Sequence, residues 1–155
     1  MSRKTVLITG CSAGGIGAAL VKQFQKRGLT VFATARTLTK MTELESLPNT
    51  ILIPLDVTSP SDIAAAVQRV ESETGGTLDY LVNNSGQSRH MPILDHDLEK
   101  AKELFEVNFW GVLRMIQAFA PLLIEAKGTV VNIGSINAYA NLPFCGETSH
   151  ILLSA

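Results

Sequence analysis

Residues 9–17 read Thr-Gly-Cys-Ser-Ala-Gly-Gly-Ile-Gly, which places four glycines within eight positions, between a β-branched run and an amphipathic stretch. A turn without Cβ atoms lets backbone N–H groups approach a pyrophosphate, and the helix that follows adds its partial positive charge. Gly10, Gly15, Ile16 and Gly17 are therefore candidate phosphate-loop residues, and Ser12 offers a hydroxyl donor. Arg36 stands where the second strand should end, and no acid occurs between Gly17 and Glu43. A planar guanidinium suits a ribose 2′-phosphate, whereas a 2′-hydroxyl would call for an acid, so the expected nucleotide is NADP(H) and not NAD(H).

The elements that would position these groups alternate. Residues 5–9, 30–35, 51–55, 78–82 and 129–133 read as strands, the first and second β-branched and apolar. Residues 16–27 carry apolar side chains at helical spacing, and 40–47 read as a short helix. Ser59-Pro60 opens a helix through Thr74, and Asp97 caps a long one reaching about Ala126 in which Pro121 marks an expected kink or last turn. Repeated βαβ units predict an α/β, Rossmann-type parallel sheet with helices on both faces, ending after about five strands in the order 3-2-1-4-5. The 155 residues hold one, incomplete, dinucleotide-binding domain in this reading, with no linker, repeat or charge run to divide it.

Composition narrows the function classes. Hydrophobic residues make up 46% and charged residues 17%, with a formal net charge of −1. That balance fits neither a nucleic-acid binder nor a polybasic membrane-surface protein. The apolar stretch 104–124 holds Glu106, Asn108 and Arg114, which argues against a membrane span, and the start lacks a signal-peptide core. Two cysteines, Cys11 and Cys145, make no disulfide framework. The expectation is a cytoplasmic domain. His90, His96, Asp95 and Asp97 match no zinc spacing, so no metal is expected.

Further motifs carry a resemblance. Asp56-Val57 follows the third strand, Asn83-Asn84-Ser85-Gly86 the fourth, Val107-Asn108-Phe109-Trp110-Gly111 lies on the long helix, and Gly134-Ser135 follows the fifth strand. With the glycine loop, these resemble the short-chain dehydrogenase/reductase family over residues 4 to about 146. They are most similar to members of the fungal 1-acyldihydroxyacetone-phosphate reductase and 17β-hydroxysteroid dehydrogenase type. The resemblance implies that Asp56 and Val57 contact adenine, that Asn83, Ser85 and Gly86 lie near the nicotinamide ribose, and that Asn108 and Ser135 are catalytic. It implies hydride transfer between nicotinamide and a carbonyl, with serine polarising the carbonyl and asparagine anchoring a water.

The family's Tyr-x-x-x-Lys falls on Thr148 and Leu152, and neither Tyr139 nor His150 restores the pattern. A threonine hydroxyl is a far weaker acid than a phenol, and leucine binds no ribose. Three readings follow. One is an oxidoreductase by descent whose redox chemistry is impaired or borrowed. Another is a cofactor-independent isomerase, lyase or cyclase using Ser135 and Asn108 as donors. The last is a non-catalytic fragment or partner-binding subunit. The pattern's loss after Gly146 suggests a truncation or a shifted reading frame. Family members continue for two more strands, so a homo-oligomer or a partner chain is expected to cover the fifth strand's edge. The substrate suggested is a small lipid-, steroid- or polyketide-like carbonyl compound.

Overall fold

The computed structural model describes residues 3–90 and 92–136. Five strands form one parallel sheet: β1 (Thr5–Ile8), β2 (Thr30–Ala35), β3 (Thr50–Pro54), β4 (Tyr80–Asn83) and β5 (Thr129–Asn132). Their order is β3-β2-β1-β4-β5, as expected. β1 is central because it pairs with β2 on one side, Val6 opposite Val31, and with β4 on the other, Val6 opposite Tyr80. Parallel strands need crossovers, and the helices that supply them cover both faces.

Period-2 alternation sorts the strand residues. Leu7, Phe32 and Leu81 point into a core with Ile63, Ala66 and Val70 of α2 (Pro60–Thr74) and Met115, Phe119 and Leu122 of α4 (Gly111–Ala126). Val6, Ile8, Val31, Ala33 and Val82 point the other way, onto Ala18 and Val21 of α1 (Ile16–Lys26) and onto Met41 and Leu44. Met41 and Leu44 belong to a 3-10 turn at Leu38–Leu44, which begins and ends earlier than the helix expected over 40–47. Burying a side chain such as Phe119 stabilises the fold by about 1.5–3 kcal/mol.

Helix ends follow their local chemistry. Ser59 caps α2, accepting from Asp62 N at 3.3 Å while its hydroxyl donates to Asp62 Oδ1 at 2.9 Å. Pro60 takes the first turn, where no donor is needed, and Gly75 ends the helix at φ 70°. Asp97 Oδ1 caps α3 (Leu98–Phe105), accepting from Glu99 N at 2.8 Å and Lys100 N at 3.4 Å.

The long helix differs from expectation in one respect. Its irregularity is a π turn at Glu106–Trp110, between α3 and α4, while Pro121 sits inside α4. Gly111 explains the close approach: a Cβ there would lie 2.8 Å from Val57 Cγ2. Taken as one, Leu98–Ala126 has 29 residues and a mean hydropathy of 1.4 over its most apolar window, enough by length and composition to cross a membrane. Here it contributes Leu104, Met115, Phe119, Leu122 and Leu123 to the buried residues of the domain.

Candidate functional site

Every loop that carries a motif leaves the C-terminal end of a strand, the side on which open parallel sheets bind ligands. The glycine loop joins β1 to α1. No side chain caps α1 at Gly15, which leaves its first-turn N–H groups to an anion or to water. Gly10 holds φ +73°, and a Cβ there would lie 3.0 Å from Ser85 Cα. Gly17 is tighter: its Cβ would fall 2.4 Å from Gly10 O. Ile16 is 63% exposed beside this loop. Cys11 is buried, with its thiol on Ile8 O at 3.2 Å. Burial pushes that thiol up to about 12, so it packs and does not react.

Thr9 stitches this loop to the one after β4. Its Oγ1 accepts from Asn84 N and Ser85 N, both at 2.9 Å, and Asn84 Nδ2 donates back to Thr9 O at 2.8 Å and Gly10 O at 3.1 Å. Beneath them Asn83 is buried, donating through Nδ2 to Asn132 Oδ1 at 2.9 Å and accepting at its carbonyl from Ile133 N at 2.9 Å. Ser135 follows on the exposed chain beyond β5.

One cavity of about 740 Å³ runs between these loops. Of the residues expected at a nucleotide site, Gly10, Ser12, Arg36, Asp56, Val57, Ser85 and Gly86 line it. Arg36 is exposed at its rim and has no ion pair among the described residues. Asp56 Oδ1 accepts from Thr58 N at 2.9 Å and Thr58 Oγ1 at 2.7 Å, while Oδ2 has no hydrogen-bond partner among the described residues. Gly15, Ile16 and Gly17 shape the loop from behind, and Asn83 ties β4 to β5. A cradle that a Cβ would fill, an uncapped helix start and a free arginine together fit a dinucleotide bearing a 2′-phosphate.

Asn108 does not line this cavity. It sits in the π turn, accepting from Gln87 N at 2.9 Å and donating through Nδ2 to Gln87 O at 2.8 Å. Its carboxamide thus clamps the loop after Gly86. The expectation that Asn108 donates freely to a ligand is met at most by its remaining N–H. Thr148, His150, Leu152, Tyr139 and Cys145 lie outside the described residues.

Sequence reasoning missed the far wall. Glu99, Lys102, Glu103 and Glu106 line the cavity from α3 and the π turn. Their spacing of three and four marks one helix face, but nothing in the sequence says which face meets the cleft. Glu99 pairs with Lys102 at 2.7 Å, Glu103 with Lys100 at 2.8 Å and Glu106 with Arg114 at 2.8 Å.

Known proteins share this arrangement. A short-chain dehydrogenase of Penicillium ochrochloron is 60% identical over 136 residues, 88% of this chain and 50% of that protein. The NADPH-dependent 1-acyldihydroxyacetone phosphate reductase of Schizosaccharomyces pombe is 43% identical over 143 residues, 92% of this chain and 48% of that protein. The chain therefore spans about half the length of these curated relatives. Among solved structures, a short chain dehydrogenase from Burkholderia cenocepacia in complex with NADP superposes with a TM-score of 0.86 at 30% identity, covering 99% of this chain and 62% of that one. The NADPH-bound carbonyl reductase from chicken fatty liver gives 0.89 at 27% identity, covering 99% and 70%. The family model for short chain dehydrogenases matches residues 4–146, every motif described above included, and the chain belongs to that family.

Proposed function

We propose that this chain is the nucleotide-binding part of an NADP(H)-dependent oxidoreductase acting on a small carbonyl or alcohol substrate. The observation that carries this reading is the unpaired Arg36 at the rim of the cavity that the glycine loop and Asp56 also line. Residues 1–155 act as one dinucleotide-binding unit. Gly10, Ser12, Gly15, Ile16 and Gly17 hold the pyrophosphate, Arg36 the 2′-phosphate, Asp56 and Val57 the adenine, and Asn83, Ser85 and Gly86 the nicotinamide ribose. NADP(H) supplies or accepts a hydride when bound. Ser135 orients the substrate oxygen, and Asn108 fixes the loop beside it. The NADPH-dependent reductase of S. pombe and the NADP-bound neighbours support the cofactor.

Thr148 and Leu152 stand where the resemblance puts the proton donor and the lysine, so the redox step in this chain is impaired or borrowed. The substrate suggested is a lipid-, steroid- or polyketide-like carbonyl compound. The exposed strand β5 supports association with a second copy or a partner chain.

Fluorescence titration of the 155-residue chain with NADPH and NADH tests the reading. NADPH is expected to bind at least tenfold tighter than NADH, with the preference lost in Arg36→Ala. A charge-assisted hydrogen bond of about 1.5–3 kcal/mol corresponds to that range. Failure of both nucleotides to bind would sink the reading for this chain.

A further inference from the structure

The far wall of the cleft has no part in the cofactor reading above. Glu106 and Val107 of the π turn line the same cavity as Leu55, Asp56 and Val57, which follow β3. The two walls meet closely at one corner. A Cβ on Gly111 would lie 2.8 Å from Val57 Cγ2 and 3.2 Å from Glu106 O, so Glu106 and Val57 adjoin. Asp56 is the residue before Val57. Leu55, Val57 and Val107 give this corner of the cavity apolar surface, and Asp56 and Glu106 give it two carboxylates.

Each carboxylate has one oxygen engaged and one open. Asp56 Oδ1 takes both donors of Thr58, which leaves Oδ2. Glu106 Oε2 is held by Arg114 at 2.8 Å, and no hydrogen bond or ion pair reaches Oε1 among the described residues. Arg114 lies on α4, beyond the π turn, so this ion pair spans the turn. Its Nη1 is buried, so packing holds the guanidinium and the guanidinium in turn holds Glu106. The other acids of the wall are tethered more loosely, Glu99 to Lys102 and Glu103 to Lys100, both exposed lysines of α3.

Apolar surface with two open acceptors suits a flat ring that carries an amino group. The 6-amino group of adenine has two N–H donors. We propose that Glu106 reads that amino group together with Asp56, each carboxylate accepting one N–H, while the ring lies against Val57 and Val107. This assignment rests on the NADP(H) reading and deepens it: Glu106 selects the base as Arg36 selects the 2′-phosphate. A 6-oxo base is rejected because its O6 would set an acceptor against two carboxylates and leave both without a donor.

The test is fluorescence titration with NADPH and with its hypoxanthine analogue, deamino-NADPH, which differs at position 6 of the base. The chain is expected to bind NADPH about tenfold tighter or more. In Glu106→Gln that ratio should fall about threefold or more, because a carboxamide can turn its own N–H toward O6. Glu106→Asp, which keeps the charge and shortens the reach, should lower the ratio too. A ratio unchanged in both variants overturns the proposal, because Asp56 alone then reads the base. Equal weakening of the two nucleotides also overturns it, since that is the mark of a purely structural ion pair. So does a ratio that falls in Glu103→Gln instead. Failure of both nucleotides to bind sinks the cofactor reading and this proposal with it, whereas binding without discrimination at the base sinks this proposal alone.

Discussion

β1 and β5 both open with Thr-Val but stand in different surroundings. Thr5–Ile8 reads TVLI and is buried at every position, whereas Thr129–Asn132 reads TVVN and is exposed at every position. β1 has a strand on each side and helices over both faces; β5 has β4 alone as a strand neighbour among the described residues. The strand period is written into the side chains, but burial belongs to the neighbours, and four residues of apolar sequence cannot announce whether they have any. The same contrast separates the two ends of the cleft. The glycine-loop end is tied to backbone on several sides, while β5 has a strand on one side only among the described residues.

Substitutions sharpen the contrast. Leu7→Ala should lower the unfolding free energy by about 2–5 kcal/mol, since it opens a void under the central strand. Val131→Ala should cost under about 1 kcal/mol, because that side chain is already 38% exposed. Urea titrations giving equal losses would abolish the distinction. At the loops, Gly17→Ala should remove measurable NADPH binding, as its Cβ meets Gly10 O, whereas Gly134→Ala, with nothing within 4 Å, should leave it intact.

Asn108 offers a subtler probe. Asn108→Ala is expected to speed amide exchange at Gln87, and Asn108→Asp to do so less, because a carboxylate oxygen still accepts from Gln87 N although it no longer donates to Gln87 O. Unchanged exchange in both variants would remove the clamp. Ser59→Ala, which removes the cap of α2, should cost about 0.5–2 kcal/mol by thermal denaturation. The smallest change is expected at Cys11. Because burial raises its folded value to about 12, its share of stability is complete below about pH 9 and is lost as pH rises toward 12. At pH 8, peptide mapping should find Cys11 unlabelled by thiol reagents until the protein unfolds.

The fold was largely legible because alternating strand and helix periods leave few topologies open. Gly10 and Gly17 were legible as a tight turn because their spacing falls between a strand and a helix start. Arg36 was legible from its place after β2. The rest depends on contacts between residues far apart in sequence. Thr9 reads as the last residue of a strand, and only the structure shows its hydroxyl receiving two amides from Asn84 and Ser85. The π turn leaves no sequence signature: Glu106–Trp110 reads as uninterrupted helix, and the insertion becomes visible only as Gly111 settles against Val57. Asn108 was found by resemblance, but its partner is a backbone segment, and backbone leaves no mark in composition.

The contacts between Thr5 and Asp79 bear on how the molecule assembles. Asp79 Oδ2 accepts from Thr5 N at 2.8 Å and from Thr5 Oγ1 at 3.1 Å, and Asp79 N donates to Thr5 Oγ1 at 3.1 Å, across a sequence separation of 74. Closing so long a loop costs chain entropy before any contact repays it, whereas β1, β2 and β3 meet over much shorter separations. The β1–β4 junction should therefore form late in folding, and Thr9 meets Asn84 and Ser85 through that same junction. A nascent chain that has completed its first three strands would have its glycines and Arg36 in place, yet have no cleft to offer until the fourth strand arrives.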